Sequence, residues 1–321
     1  MIPMEWLQAA SARIAGSIKQ TPLTYDSELN VFLKWENRQV TGSFKVRGAL
    51  NKILSLEPWE AKNGLVTCSA GNHGQGVALA AQKIGTTCIV FVSSHAVPTK
   101  VSAMQALGAD IRFVTGGYAD AEKTAILFAL DSKGMFISPY NDVQVIAGQG
   151  TVGLELIEQT QGFREIKTLL VPIGGGGLLS GIGAAISGLT NRPKLIGVQS
   201  EASAYFNSLY NKGTQDGVIE KESLADGLSG EVDHGSITIP MVNHYADDIV
   251  LVTEQAISQS IAYAWRKYKE VIEGSAAVTL AAILTKKIAE MPAVLVISGG
   301  NIQPDSHEQI LAQTSIKERE F

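Results

Sequence analysis

The chain has 321 residues, a formal charge of −5, 45% hydrophobic and 18% charged residues, which supports a sizeable core and excludes a disordered chain. It carries no basic excess, so nucleic acid is not expected as the main partner. No apolar run is long enough to span a bilayer, and the N-terminus lacks a charged-then-apolar leader pattern. Cys68 and Cys88 stand in separate apolar runs without metal or redox spacing, which fits buried thiols in a reducing cytoplasm. The five histidines form no zinc-like pair, so no protein-bound metal is expected.

In chain order, residues 1–17 read as an amphipathic helix with Trp6, Leu7, Ala10 and Ile14 on one side. Residues 31–35 read as a strand. Thr41-Gly42-Ser43-Phe44-Lys45-Val46-Arg47-Gly48-Ala49 then opens a helix running to about Leu54. From Leu65 the pattern alternates: strand 65–68, helix 73–84, strand 87–92, helix 98–107, strand 111–114, helix 119–133 and strand 135–137. Helix 145–159 is interrupted by Gly148, Gly150 and Gly153, and strand 168–173 leads through four glycines into helix 178–187. Strand 195–198 precedes an irregular excursion over 210–248. Strand 249–252, helices 254–269 and 275–289 and strand 293–297 close the chain. Such alternation indicates crossover units and parallel sheets. Without a linker or repeat, two α/β blocks pack directly with a cleft between them.

Four stretches carry chemistry. A lysine at a helix start, desolvated and near the positive end of the dipole, loses its proton readily and can attack a carbonyl, as Lys45 is placed to do. Taken alone, Lys45 is better described as a surface residue in the first turn of an ordinary helix; its company further along the chain changes that. Gly174-Gly175-Gly176-Gly177 lies between a strand and a helix, where backbone amides and the dipole meet an anion such as phosphate. No register of these glycines matches the nicotinamide fingerprint, and no Lys-Ser/Thr pair follows for a Walker loop. Ser69-Ala70-Gly71-Asn72-His73 is a second strand-to-helix turn whose amides can hold a carboxylate, although Asn72 as a helix cap and His73 as a solvated first-turn residue explain it equally. Ser298-Gly299-Gly300-Asn301 ends the last strand. All of these turns fall at carboxyl ends of strands, where open α/β sheets collect ligands.

The Lys45 segment with Glu36-Asn37-Arg38-Gln39, Ser-Ala-Gly-Asn-His at 69–73, Val-Ile-Ala-Gly-Gln-Gly-Thr at 145–151, the tetraglycine loop and Ser-Gly-Gly-Asn at 298–301 together resemble the threonine and serine dehydratases and serine racemases. These belong to the fold type II pyridoxal-phosphate enzymes. The matches keep family order and span nearly the whole chain. The resemblance implies a tryptophan synthase beta-like α/β fold of two domains with parallel-type open sheets flanked by helices. The large domain would comprise 1–62 plus 143–321, with a small domain, 63–142, inserted in it. It implies a pyridoxal-phosphate-dependent ammonia-lyase that converts a β-hydroxy amino acid, L-threonine or L-serine, to a 2-oxo acid and ammonia. Dehydration of 3-hydroxyaspartate or phenylserine, or amino-acid racemisation, is the alternative.

Carried over, Lys45 would bind pyridoxal 5′-phosphate covalently, Phe44 would lie against its ring, Asn72 would meet the ring hydroxyl and Ser298 the ring nitrogen. Gly174, Gly175, Gly176, Gly177 and Leu178 would hold its phosphate, and Ser69, Ala70, Gly71, Asn72 and His73 would receive the substrate carboxylate. A second base on the opposite face, a serine in racemases, is replaced by Ala70, which favours the lyase. Gln199, Ser203 and Tyr205 replace the acidic set with which many relatives bind a cation. The segment 138–142 and the excursion around 224–230 depart from the family pattern. The chain stops at Phe321, so a C-terminal regulatory domain is not expected. A cytoplasmic homodimer without membrane contact is implied.

Overall fold

The computed structural model of the protein describes residues 1–94 and 96–317. Among these residues ten strands form two sheets. The first contains β1 (Leu23–Asp26), β2 (Val31–Trp35), β7 (Thr168–Pro172), β8 (Lys194–Ser200), β9 (Asp248–Val252) and β10 (Ala293–Ile297) in the order β1-β2-β10-β7-β8-β9. It is parallel throughout except for the β1–β2 pair. The second contains β3 (Leu65–Cys68), β4 (Cys88–Ser93), β5 (Asp110–Val114) and β6 (Met135–Phe136) in the order β5-β4-β3-β6, all parallel.

The helices are α1 (Met4–Ile14), α2 (Lys45–Leu54), α3 (Asn72–Ile84), α4 (Pro98–Ala106), α5 (Tyr118–Ser132), α6 (Val143–Gln159), α7 (Gly177–Ile186), α8 (Tyr205–Lys212), α9 (Thr238–Tyr245), α10 (Glu254–Tyr268), α11 (Gly274–Leu284) and α12 (Pro304–Lys317). No helix is long and apolar enough to cross a membrane, among the described residues. Every residue of β7 and β10 is buried, as expected of central parallel strands covered on both faces. Along β10, Val294 and Val296 join one core with residues of α6 and α7, whereas Leu295 and Ile297 join another with α10 and α11.

The expected strands and the long helices are present, with four additions and two corrections. The edge strand β1 has only four residues, two of them exposed, so its alternation is short. Helices α8 and α9 cut into the excursion expected to be irregular; each has only eight residues, and α9 carries Pro240 in its first turn. Helix α12 follows β10. Trp6 does not join the buried side of α1, which is Leu7, Ala10 and Ile14; it is exposed.

Helix α6 runs through its glycines without a break. A Cβ on Gly148 would lie 2.6 Å from Arg47 O, one on Gly150 2.7 Å from Gly181 O, and one on Gly153 2.7 Å from Ala185 Cβ. Close approach to α2 and α7 requires these glycines, and the packing outweighs a helix-propensity cost of about 1 kcal/mol for each.

Helix α2 is held from below by charge. The fully buried Arg47 donates from Nε to Glu36 Oε2 at 2.7 Å and from Nη2 to Glu36 Oε1 at 2.8 Å; its Nη1 reaches Glu155 Oε1 at 2.6 Å and Thr151 Oγ1 at 3.1 Å. Lys34, also fully buried, donates to Gln159 Oε1 and Thr21 O and pairs with Glu155. Burial alone would raise the Glu36 carboxyl, but the Arg47 guanidinium and Lys34 hold it below the usual carboxylate range.

Removing one member of such a network leaves a buried charge unpaired. Arg47→Met should lower unfolding stability in urea by about 3–5 kcal/mol, and Glu36→Gln in the same chain should recover part of that loss. A single variant with the wild-type urea midpoint would show that the pair does not hold α2.

Candidate active site

The segment that delivers Lys45 is zipped to the end of β10. Ser43 and Gly299 form an antiparallel bridge, Phe44 N donates to Ser298 O at 3.0 Å, and Gly300 N donates to Gly42 O at 2.9 Å. Asn301 Nδ2 donates to Thr41 O at 2.8 Å. Gly42 has φ +71°, and a Cβ there would fall 2.4 Å from Asn301 Oδ1, so this crossing requires glycine. Ser298, expected far along the chain, thus lies against the Lys45 segment. Lys45 is the first residue of α2, and its Nζ donates to Pro139 O at 3.0 Å, 5.4 Å from the centre of the Phe44 ring. Burial lowers the Lys45 amine to about 8, against an opposing pull from the Glu273 carboxylate. Desolvation accounts for the shift.

The turn at the end of β3 opens α3 with Gly71 at its N-cap and no side chain capping it. The first-turn amides are therefore presented to an external acceptor. Gly71 N donates to Ser69 Oγ at 3.2 Å, and Ala70 is partly buried against the core around β3 and β4. Asn72 is not the cap but the first helical residue. Its Nδ2 donates to Glu273 Oε1 at 2.7 Å, and its Oδ1 accepts from Asn301 Nδ2 at 2.6 Å. Both ends of the amide are fixed, and one N–H remains available.

His73 is not solvated but buried, with Nε2 3.1 Å from Ile137 O. Only a protonated Nε2 can donate to that carbonyl. Burial, then the charge of Lys45, pushes the imidazole down to about 3, so it stays neutral and is too weak a base to hold an α-proton near neutral pH. What His73 offers the turn is its backbone N–H.

The glycine loop between β7 and α7 is enclosed at every position. A Cβ would lie 2.9 Å from Leu228 Cα at Gly174, 2.4 Å from the Tyr140 ring at Gly175, 2.7 Å from the Phe206 ring at Gly176 and 3.1 Å from Tyr140 Cβ at Gly177. Gly176 also has φ +82°. Helix α7 starts without a side-chain cap, and Leu178 follows in its first turn. Tyr140 packs against Gly175 and Gly177, and its hydroxyl accepts from Asp233 N at 3.0 Å. Since Pro139 O receives the Lys45 ammonium, the segment 138–142 links the lysine to the glycine loop.

The arrangement fits a phosphorylated aldehyde: an anion cradle without side chains, an enclosed amine with a depressed pKa, and an amide N–H left over at Asn72. Among the described residues no group of His, Cys, Asp or Glu converges as a metal site. Gln199 is buried, and its Oε1 accepts from Asn207 N at 3.1 Å. Cys68 and Cys88 are buried free thiols, and burial pushes both up to about 12. His95 lies outside the described residues.

Sequence reasoning missed Glu273, and quoted Asn301 without assigning it a role. Glu273 precedes α11, donates its N to Gly299 O at 3.1 Å, and blocks any side chain at Gly299, whose Cβ would fall 2.4 Å from Glu273 Oε1. Its carboxyl is raised to about 7 by burial and by Asp226, against Lys100, Asn72 and Lys45. Ile-Glu-Gly-Ser contains no local signal for this role. Only the register of α11 against β10 supplies it.

The chain matches the family described as "Pyridoxal-phosphate dependent enzyme" over residues 14–299. It is 37% identical to L-threonine ammonia-lyase of Thermotoga maritima, over 99% of this chain and 80% of the relative. It is 38% identical to the catabolic L-threonine dehydratase of Escherichia coli K12, over 94% and 93%. The structure superposes on a threonine deaminase from T.th. with a TM-score of 0.84 at 32% identity, covering 94% of this chain and 99% of that one. It superposes on maize serine racemase with a TM-score of 0.88 at 29% identity, covering 99% of each chain. The expected fold type II architecture is thereby shown.

Only the neutral amine of Lys45 reacts with an aldehyde, so the rate at which cofactor-free protein takes up added pyridoxal phosphate should rise with pH and level off above about 8. Glu273→Gln removes the anion that raises the amine and should move the midpoint to lower pH. Stopped-flow absorbance measures both; an unmoved or higher midpoint in the variant refutes the coupling.

Proposed function

The chain belongs to the pyridoxal-phosphate-dependent enzyme family, and on that premise we propose that it is an ammonia-lyase acting on L-threonine or L-serine. The observation that carries the reading is the enclosed Lys45 amine, held at Pro139 O beside the glycine loop that Tyr140 covers. Lys45 would bind the cofactor, Phe44 would lie against its ring, the remaining Asn72 N–H would meet the ring hydroxyl, and Ser298 would face the ring nitrogen. Backbone amides of Gly174, Gly175, Gly176, Gly177 and Leu178 would hold its phosphate. When bound, pyridoxal phosphate supplies a sink for the electron pair left at the substrate α-carbon.

The protein's own groups do the rest. The Ser69–His73 turn, with Ala70, Gly71 and Asn72, orients the substrate carboxylate through backbone N–H groups. Glu273 and Asn301 keep the Asn72 amide from rotating. Lys45 Nζ, neutral in part because its pKa falls to about 8, takes the α-proton. Loss of the β-hydroxyl and hydrolysis then give a 2-oxo acid and ammonia. Ala70 has no proton to deliver from the opposite face, which supports elimination over racemisation.

The division into a small domain, 63–142, inserted in a large one, 1–62 plus 143–321, is part of the proposal, and the separate four-stranded sheet supports it. So is a cytoplasmic homodimer, on the strength of the family resemblance.

The purified protein should absorb at about 410–420 nm and release 2-oxo acid from L-threonine or L-serine, and less from L-threo-3-hydroxyaspartate. Lys45→Ala should abolish the absorbance and lower kcat by about 1000-fold or more. Accumulation of D-serine from L-serine would move the reading to racemase, and a colourless protein that cannot be reconstituted would refute it.

A further inference from the structure

The turn that is to receive the substrate carboxylate is built of neutral donors, yet a cation lies over it. Lys100, on α4, folds back across the end of β3. The Cβ position of Gly71 is 3.7 Å from Lys100 Cδ and 4.0 Å from its Nζ. The lysine side chain is only 17% exposed, and its Nζ pairs at 2.6 Å with Asp226 Oδ2, whose side chain is 58% exposed. Asp226 opens the short 3-10 turn Asp226–Leu228 of the excursion before α9, and Leu228 packs on Gly174 of the glycine loop. The ion pair therefore joins α4, beside the four-stranded sheet, to the 3-10 turn that packs on the glycine loop of the six-stranded sheet.

An ion pair with one strongly exposed member contributes about 0–1 kcal/mol and is readily exchanged. A carboxylate seated on the Gly71 turn would lie beside the same ammonium, enclosed and with backbone amides on its other side. There it makes the stronger, charge-assisted contact. The Lys100 charge also acts on Glu273, which is buried and already bonded to Asn72, and so is a less accessible competitor.

We propose that Lys100 is a substrate-binding residue: its ammonium completes the site for the amino-acid α-carboxylate, and Asp226 is the resting counter-ion that the substrate displaces. This rests on the amino-acid lyase reading above and adds the charge that the turn alone does not supply.

The test uses the holoenzyme and two probes that differ only in the group at issue, L-alanine and L-alaninamide, titrated by the change in cofactor absorbance, together with KM and kcat for L-threonine and L-serine. Lys100→Met should weaken L-alanine and raise KM by about tenfold or more. L-Alaninamide binding and kcat should stay within about twofold. Lys100→Arg should restore most of the affinity, and Asp226→Asn, which removes the competitor, should tighten L-alanine. Equal losses for acid and amide in Lys100→Met, or an unchanged KM in an active enzyme, overturn the proposal alone. If Lys100→Met does not retain the cofactor, Asp226→Asn decides: L-alanine binding that is unchanged or weaker overturns the proposal. A wild-type holoenzyme that releases oxo acid from neither substrate overturns the lyase reading and this proposal with it.

Discussion

The buried Arg47 guanidinium is the constraint on which the site depends. It takes its counter-charges from Glu36, before α2, and from Glu155, toward the C-terminal end of α6, so three segments are fixed around one planar fork. A guanidinium buried to this degree is tolerable only when its donors are matched in geometry as well as in charge. Because those partners cannot shift independently, the rotation of α2 about its axis is set, and with it the direction in which Lys45 leaves the first turn. The glycines of α6 serve the same end, since Gly148 lets the two helices approach until backbone meets backbone.

Above this base the site is a set of strand ends drawn together by polar contacts rather than by a hydrophobic core. The end of β10 is sewn to the Lys45 segment, Asn301 reaches across to Asn72, and Glu273 closes the circle. Each contact joins residues far apart in sequence. The result is a stiff floor made from the end of β10, the start of α2 and the start of α11, on which the turn after β3 is held by a single amide. That amide joins the two sheets at the site, as do Lys45 on Pro139 O and the Lys100–Asp226 pair.

The electrostatic character follows from enclosure. Lys45, His73 and Glu273 share one small volume, and desolvation moves each toward its neutral form: the amine to about 8, the imidazole to about 3 and the carboxyl to about 7. The same enclosure that leaves a lysine able to act as nucleophile and base near neutral pH thus removes histidine from acid–base work.

Much of this was legible along the chain, because parallel α/β architecture imprints a local rhythm: apolar strand, glycine turn, amphipathic helix. Lys45, the glycine loop, the Ser69 turn and Ser298 stand out since each combines small residues with a strand end, a pattern carried by a few adjacent positions. Trp6, α8 and α9 were misread where the local pattern is weak, and tertiary contact decided the outcome. His73 and Asn72 were visible but not their states; one is neutral because Ile137 and the core enclose it, the other locked because Glu273 and Asn301 hold its two ends. Glu273 and Lys100 were not singled out in the sequence and Asp226 only within the departing segment 224–230, since the partners of their charged groups, Asn72 for Glu273 and Lys100 with Asp226, lie far away along the chain. The sequence alone determined the fold class and placed Lys45 at a helix start, for both are encoded by short-range pattern. The meeting of the starts of α2, α3 and α11 decided the charge on that amine and its partners, because desolvation and pairing exist only once distant segments meet.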